Sequence, residues 1–162
     1  MTYEDQNQGK ESMSYEEKNI TVSLVSHLLI AVYYVINWFQ MYQAGELVAN
    51  RLFGLWAIVI VANMAVNIIA SILTNILLTI LEAIQSRKYE EPQFIADERD
   101  ELIGLKGTRL SYFVFSIGVL ISMLIFAFGN SPLMMVSLII FSGVLGQIAG
   151  DLWCIYLYRR GS

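Results

Sequence analysis

The chain opens on a polar stretch, residues 1–19, and then alternates long apolar segments with short polar ones. Four apolar segments stand out, 20–39, 55–81, 110–128 and 133–158, and none of them contains Lys or Arg. A hydrocarbon core of about 30 Å takes roughly 20 helical residues at about 1.5 Å per residue. The pattern therefore predicts an all-α, polytopic membrane protein with four transmembrane helices. Residues 1–19 read as a flexible tail, residues 20–158 as the four-helix transmembrane domain, and residues 82–109 as its central loop. The second and fourth segments exceed what a span requires, which predicts tilt or projection into the interface. Between the third and fourth, Gly129-Asn130-Ser131-Pro132 carries stop and start chemistry in order: glycine to leave one helix, serine to cap the next, proline at its first position. So short a turn makes these two helices antiparallel neighbours.

Composition agrees with the pattern. The 162 residues are 56% hydrophobic and only 15% charged, with mean hydropathy +0.56, too few charges to cover a water-facing surface. A soluble globular domain and a disordered chain are both excluded on that ground. The net charge of −4 offers no basic surface for direct nucleic-acid binding. The single cysteine, Cys154, closes no intramolecular disulfide. No cleaved signal peptide is expected, because the tail holds five acids against two lysines and the first apolar run meets no small-residue cleavage site.

Charge placement predicts orientation. Lys10, Lys18, Arg87, Lys88, Arg99, Lys106, Arg109, Arg159 and Arg160 all fall on one side of the four spans, and Arg51 alone falls on the other. By the positive-inside rule both termini and the central loop are expected to be cytoplasmic. Tyr33, Tyr34, Trp38 and Tyr42 at the outer end of the first span, with Trp153, Tyr156 and Tyr158 at the inner end of the fourth, read as interfacial aromatic belts.

The polar residues inside the spans are the candidates for chemistry. Asn63, Asn67, Ser71 and Asn75 recur every four residues in the second span, with Thr74 and Thr79 beside them. One helical face is thus polar, serving either as interhelical glue or as the wall of a wet pathway. In the fourth span Ser142, Gly146 and Gly150 form a small-residue ridge for close helix packing, beside a line of Gly143, Gln147 and Asp151. The partner of the ridge is expected to be the second helix or the fourth helix of another copy, and the surplus of seams favours a homodimer. Asp151 is the only acid within a span and His27 the only histidine. Counted from the cytoplasmic ends, Asp151, His27, Asn75 and Ser116 all lie about 10 Å deep at helical rise. An ionised carboxylate there costs several kcal/mol unless paired or hydrated. Asp151, His27, Asn75, Asn67, Asn63 and Gln147 therefore compose an expected intramembrane polar site, with structural roles, snorkelling or helix bonding, as the plainer alternative. No metal site or cofactor is expected, since there is one histidine, no thiol cluster and no HExxH.

In the central loop Asp97 stands as an N-cap before Glu98, Arg99, Asp100 and Glu101, with Lys106 and Arg109 further on, as the helix dipole prefers. A helix running into the third span follows, with Gly104 and Gly107 as points of bending. The run Asp97, Glu98, Arg99, followed by Ile103 and Lys106 ahead of a span, resembles a family of small bacterial and archaeal predicted membrane proteins of unknown function. The resemblance covers roughly a fifth of the chain, and Gly107 stands where alanine is expected. It implies a prokaryotic plasma-membrane protein with four helices and no activity to carry over. Genes of that family sometimes neighbour small DNA-binding regulators, which implies a regulatory partner.

No GxSxG, phosphate loop, paired histidines or cysteine with a base is present, so a non-enzymatic role is expected. The first expectation is an interaction or regulatory protein of the bilayer, presenting its charged loop to a cytoplasmic regulatory protein. The alternative is a small transporter or channel subunit built on the polar layer around Asp151.

Overall fold

The computed structural model describes residues 15–86 and 98–160, and the side chains of 17–68, 72, 76 and 99–160. Its described residues form four helices and no strands: α1 (Tyr15–Gln43), α2 (Ala49–Ser86), α3 (Glu98–Ala127) and α4 (Pro132–Arg160). Each contains a stretch long and apolar enough to cross a membrane. α1 and α3 both run antiparallel to α4: His27 meets Asp151 and Tyr34 meets Ser137 on one side, and Ile103 meets Cys154 and Gly118 meets Ser142 on the other. The start of α1, the start of α3 and the end of α4 share one end of the bundle, called here the terminal end, where Glu17 meets Arg159 and Ile20 and Ile103 meet Leu157.

The helices extend beyond the apolar segments. α1 begins at Tyr15, so 15–19 belong to a helix and not to the expected tail. Glu17 lies 3.6 Å from Arg159 at the end of α4. α3 begins at Glu98 and continues unbroken, which makes the expected juxtamembrane helix and the third span a single rod. The turn between α3 and α4 forms as its residues dictate. Gly129 has φ +93°, Pro132 opens α4, and Ser131 Oγ accepts a hydrogen bond from the Met134 amide at 3.2 Å. Gly45, with φ +66°, ends α1 in the same way at the α1–α2 connection.

α4 is the central element, touching each of the other three helices. At the turn end, α1, α2 and α4 enclose a core of Tyr34, Leu52, Leu55, Trp56, Val59 and Val144. At the terminal end the core changes partners, and Ile103 of α3 meets Cys154 and Leu157 of α4, flanked by Ile20 of α1. On α1, Ile20, Ser23, His27, Ile30, Tyr34 and Met41 recur at spacings of three, four and seven, the periodicity of a seam between two helices.

Tyr34 is not in an aromatic belt. It is buried and donates to the Ser137 carbonyl at 2.7 Å, while Trp56 Nε1 donates to Ser137 Oγ at 3.3 Å. The polar ends of both rings find partners inside the bundle, which lets the whole ring pack. Trp38 and Tyr42 stack on one another at 5.5 Å, and Trp153 stacks on Tyr156 at 5.4 Å.

Candidate functional site: a carboxylate and histidine inside the bundle

The small-residue ridge of α4 meets α3. An ideal Cβ on Gly146 would lie 2.9 Å from the Ser111 carbonyl oxygen, one on Gly150 would lie 3.0 Å from that of Gly107, and one on Gly118 would fall inside the Ser142 side chain. Glycine is required at these contacts because the two backbones nearly touch. The expected partners, α2 or a second α4, are thus replaced by α3, and the ridge that favoured a homodimer is covered within one chain. The matching face of α3 carries Ile103, Gly107, Ser111, Phe115, Gly118 and Ser122, spaced by three or four. That repeat was legible but was hidden by reading Gly107 as a bend. A Cβ there would collide with Cys154 Sγ and come within 3.2 Å of the Gly150 carbonyl oxygen.

The loop motif divides along this face. Ile103 is buried against Cys154 and Leu157, whereas Arg99 and Lys106 point to the exposed side of α3. Asp97 and the Glu98 side chain lie outside the described residues.

α4 presents Asp151 to α1. His27 Nδ1 lies 2.8 Å from Asp151 Oδ2, and Ser23 Oγ donates to the same oxygen at 3.1 Å. Ser23 Oγ is also 3.3 Å from Nδ1. Ser23 sits one turn before His27, so both side chains share the face of α1 that meets α4. With a carboxylate as acceptor, Nδ1 carries the hydrogen. His27 is fully buried, at 0% exposure, and Asp151 retains 17%. Both hydrogen bonds to Asp151 end on Oδ2, so Oδ1 has no hydrogen-bond partner among the described residues. His27 Nε2 is buried and likewise without one.

The rest of the anticipated polar layer is arranged differently. Ser116 is exposed and donates to the Tyr112 carbonyl of its own helix at 2.7 Å. Asn63 Nδ2 donates to the Val59 carbonyl and Asn67 Nδ2 to the Asn63 carbonyl. These two amides therefore satisfy themselves locally instead of bridging helices, although Asn63 Oδ1 is buried without a partner. The side chains of Asn75, Ser71, Thr74 and Thr79 lie outside the described residues. Ser23 was missed in the sequence because a serine one turn from a histidine carries no distinctive pattern.

Beside Asp151, away from His27, a half-open cavity of about 640 Å³ runs between α3 and α4 and reaches Asn67 of α2. Gln147 and Ser111 line it near Asp151, and Asp100 lines it toward the terminal end. Asp100 Oδ1 accepts from the Tyr158 hydroxyl at 2.8 Å. The glycines that bring α3 and α4 together also shape its floor, since they have no side chains to fill it. Among the described residues no group of three or more His, Cys, Asp and Glu side chains is placed to hold a metal ion.

Compared with protein-family models, with curated proteins and with solved structures, the chain matches none.

Proposed function

We propose that this chain is a non-enzymatic, cation-handling protein of the membrane, a small transporter or channel subunit whose site is Asp151 with His27 and Ser23. The observation that supports this reading is a carboxylate deep in a span, tethered through one oxygen to α1 and bordering a cavity with the rest of the group. Intramembrane carboxylates are costly and concentrate where ions or protons are handled. Asp151 is bonded to α1 on one side and borders the cavity on the other. The distribution of basic residues further supports a cytoplasmic terminal end, and the loop motif supports a prokaryotic plasma membrane. Reconstituted protein is expected to pass protons, read by an entrapped pH dye, or sodium or potassium ions, read by ion-sensitive dyes. Asp151→Asn is expected to abolish the flux at equal reconstitution, and wild-type flux in that variant would remove Asp151 from the site.

A second reading has its own support. Arg99, Glu101, Lys106 and Arg109 are exposed along the first turns of α3, a mixed-charge helical surface suited to a soluble regulatory partner. Reversing Arg99 and Lys106 to Glu should release a protein that co-purifies with the wild type; undiminished co-purification counts against this reading.

A further inference from the structure

The cavity beside Asp151 has a definite chemical character. Two carboxylates line it, Asp151 and Asp100, and no Lys, Arg or His is among its described lining residues. Within the described lining the two acids favour a positive charge. Oδ2 of Asp151 is committed to His27 and Ser23, neither of which lines the cavity, so Oδ1 is the oxygen left for an occupant. The remaining wall combines the rings of Tyr112 and Phe115 with the Gln147 amide and the Ser111 hydroxyl.

Size suits an occupant larger than a bare ion. A volume of about 640 Å³ falls in the range of roughly 300 to 1,000 Å³ that encloses small organic ligands. Aromatic walls with a carboxylate at one point suit an organic cation, whose charge pairs with the acid while its carbon skeleton contacts the rings. An acyl chain alone would leave the carboxylate oxygen and the Gln147 amide without partners, which is unfavourable in a site of low polarity; the Ser111 hydroxyl already donates to the Gly107 carbonyl.

We infer that this cavity binds an organic ammonium-type cation, with Oδ1 of Asp151 as its counter-charge and the Tyr112 and Phe115 rings as its apolar wall. The inference rests on the reading of Asp151 as the functional site and adds the class of ligand to it. The same chemistry is available from a soluble amine or from the headgroup of an aminophospholipid.

The test uses the purified full-length protein and a pair of probes of one shape and opposite charge, tetraphenylphosphonium and tetraphenylborate. Saturable binding of the phosphonium and none of the borate is expected. Asp151→Asn should weaken phosphonium binding at least about tenfold, as loss of a desolvated counter-charge does. Should that variant fold poorly, Gly143→Leu serves in its place. Gly143 lines the cavity, and a Cβ there meets only the Phe115 ring at 3.9 Å, so the leucine occupies ligand space and should also weaken binding about tenfold. Equal binding of the two probes, no phosphonium binding by the wild type, or phosphonium affinity unchanged in both variants would overturn the inference. Nanodiscs of fixed phosphatidylglycerol content, and so of equal surface charge, distinguish the source of the amine: weaker phosphonium binding when phosphatidylethanolamine replaces an uncharged, amine-free galactosyl diacylglycerol assigns the site to a headgroup, and equal binding assigns it to a soluble cation. Failure here, combined with Asp151-dependent proton or metal-ion flux, would leave the transport reading standing and remove only the ligand class. Binding without flux would do the reverse.

Discussion

Replacing Gly146 with alanine isolates the close approach of α3 and α4, because Gly143, one turn earlier on the same helix, provides an internal control. The methyl added at Gly146 would sit 2.9 Å from the Ser111 carbonyl oxygen and 3.6 Å from the Phe115 Cβ. Carbon atoms settle at about 3.5 to 4.0 Å from their neighbours, and the obstructing oxygen belongs to a helical backbone that cannot rotate aside. The helices must therefore separate along the seam that also contains Gly107, Gly118 and Gly150. Overpacking of this kind costs about 1 to 3 kcal/mol. The methyl added at Gly143 would meet only the Phe115 ring at 3.9 Å, an ordinary contact, and a surface-like change within about 0.5 kcal/mol is expected. Reversible unfolding in mixed micelles, followed by circular dichroism for both variants, measures the difference. If Gly146→Ala is as stable as the wild type, or if the two variants lose equal stability, the reasoning from backbone contact is refuted.

Three further outcomes follow from the described contacts. Asp151→Leu leaves the His27 ring N–H buried without its acceptor and should cost about 1 to 3 kcal/mol, whereas Ser23→Ala removes a single hydroxyl bond and should cost about 0.6 kcal/mol; wild-type stability of Asp151→Leu in the same unfolding assay would show that the pair is not formed. Tyr34→Phe and Trp56→Phe each remove a buried hydrogen bond, but Tyr34 bonds the Ser137 carbonyl and Trp56 its hydroxyl. In double-mutant cycles with Ser137→Ala, Trp56 should therefore couple by about 0.6 to 1.7 kcal/mol and Tyr34 by less, and the opposite ranking would contradict the geometry. A cysteine introduced at Ser131 should be labelled by an impermeant maleimide from outside the cell, with little background because Cys154 is buried; labelling only from the cytoplasmic side would invert the proposed orientation.

Much of this protein was determined by the order of its residues. The medium follows from the ratio of apolar to charged residues, and the number of helices follows from the lengths of the apolar runs. The turn into α4 follows from Gly129, Ser131 and Pro132, because capping and positive φ are properties of individual residues. Even the meeting level of Asp151 and His27 was legible, since helical rise converts position in the chain into depth. Rotation about each helix axis is another matter. In water an apolar stripe marks the inward face of a helix, but lipid is as apolar as the interior of the bundle, so hydropathy does not distinguish the two. Only the tertiary structure turned the Ser142, Gly146 and Gly150 ridge toward α3, drew Tyr34 from the expected belt into the core, and left Asn63 and Asn67 bonded to their own helix. It also added Ser23 to the Asp151–His27 pair and opened the cavity beside them, because both depend on separate helices facing one another, a property that no single segment carries.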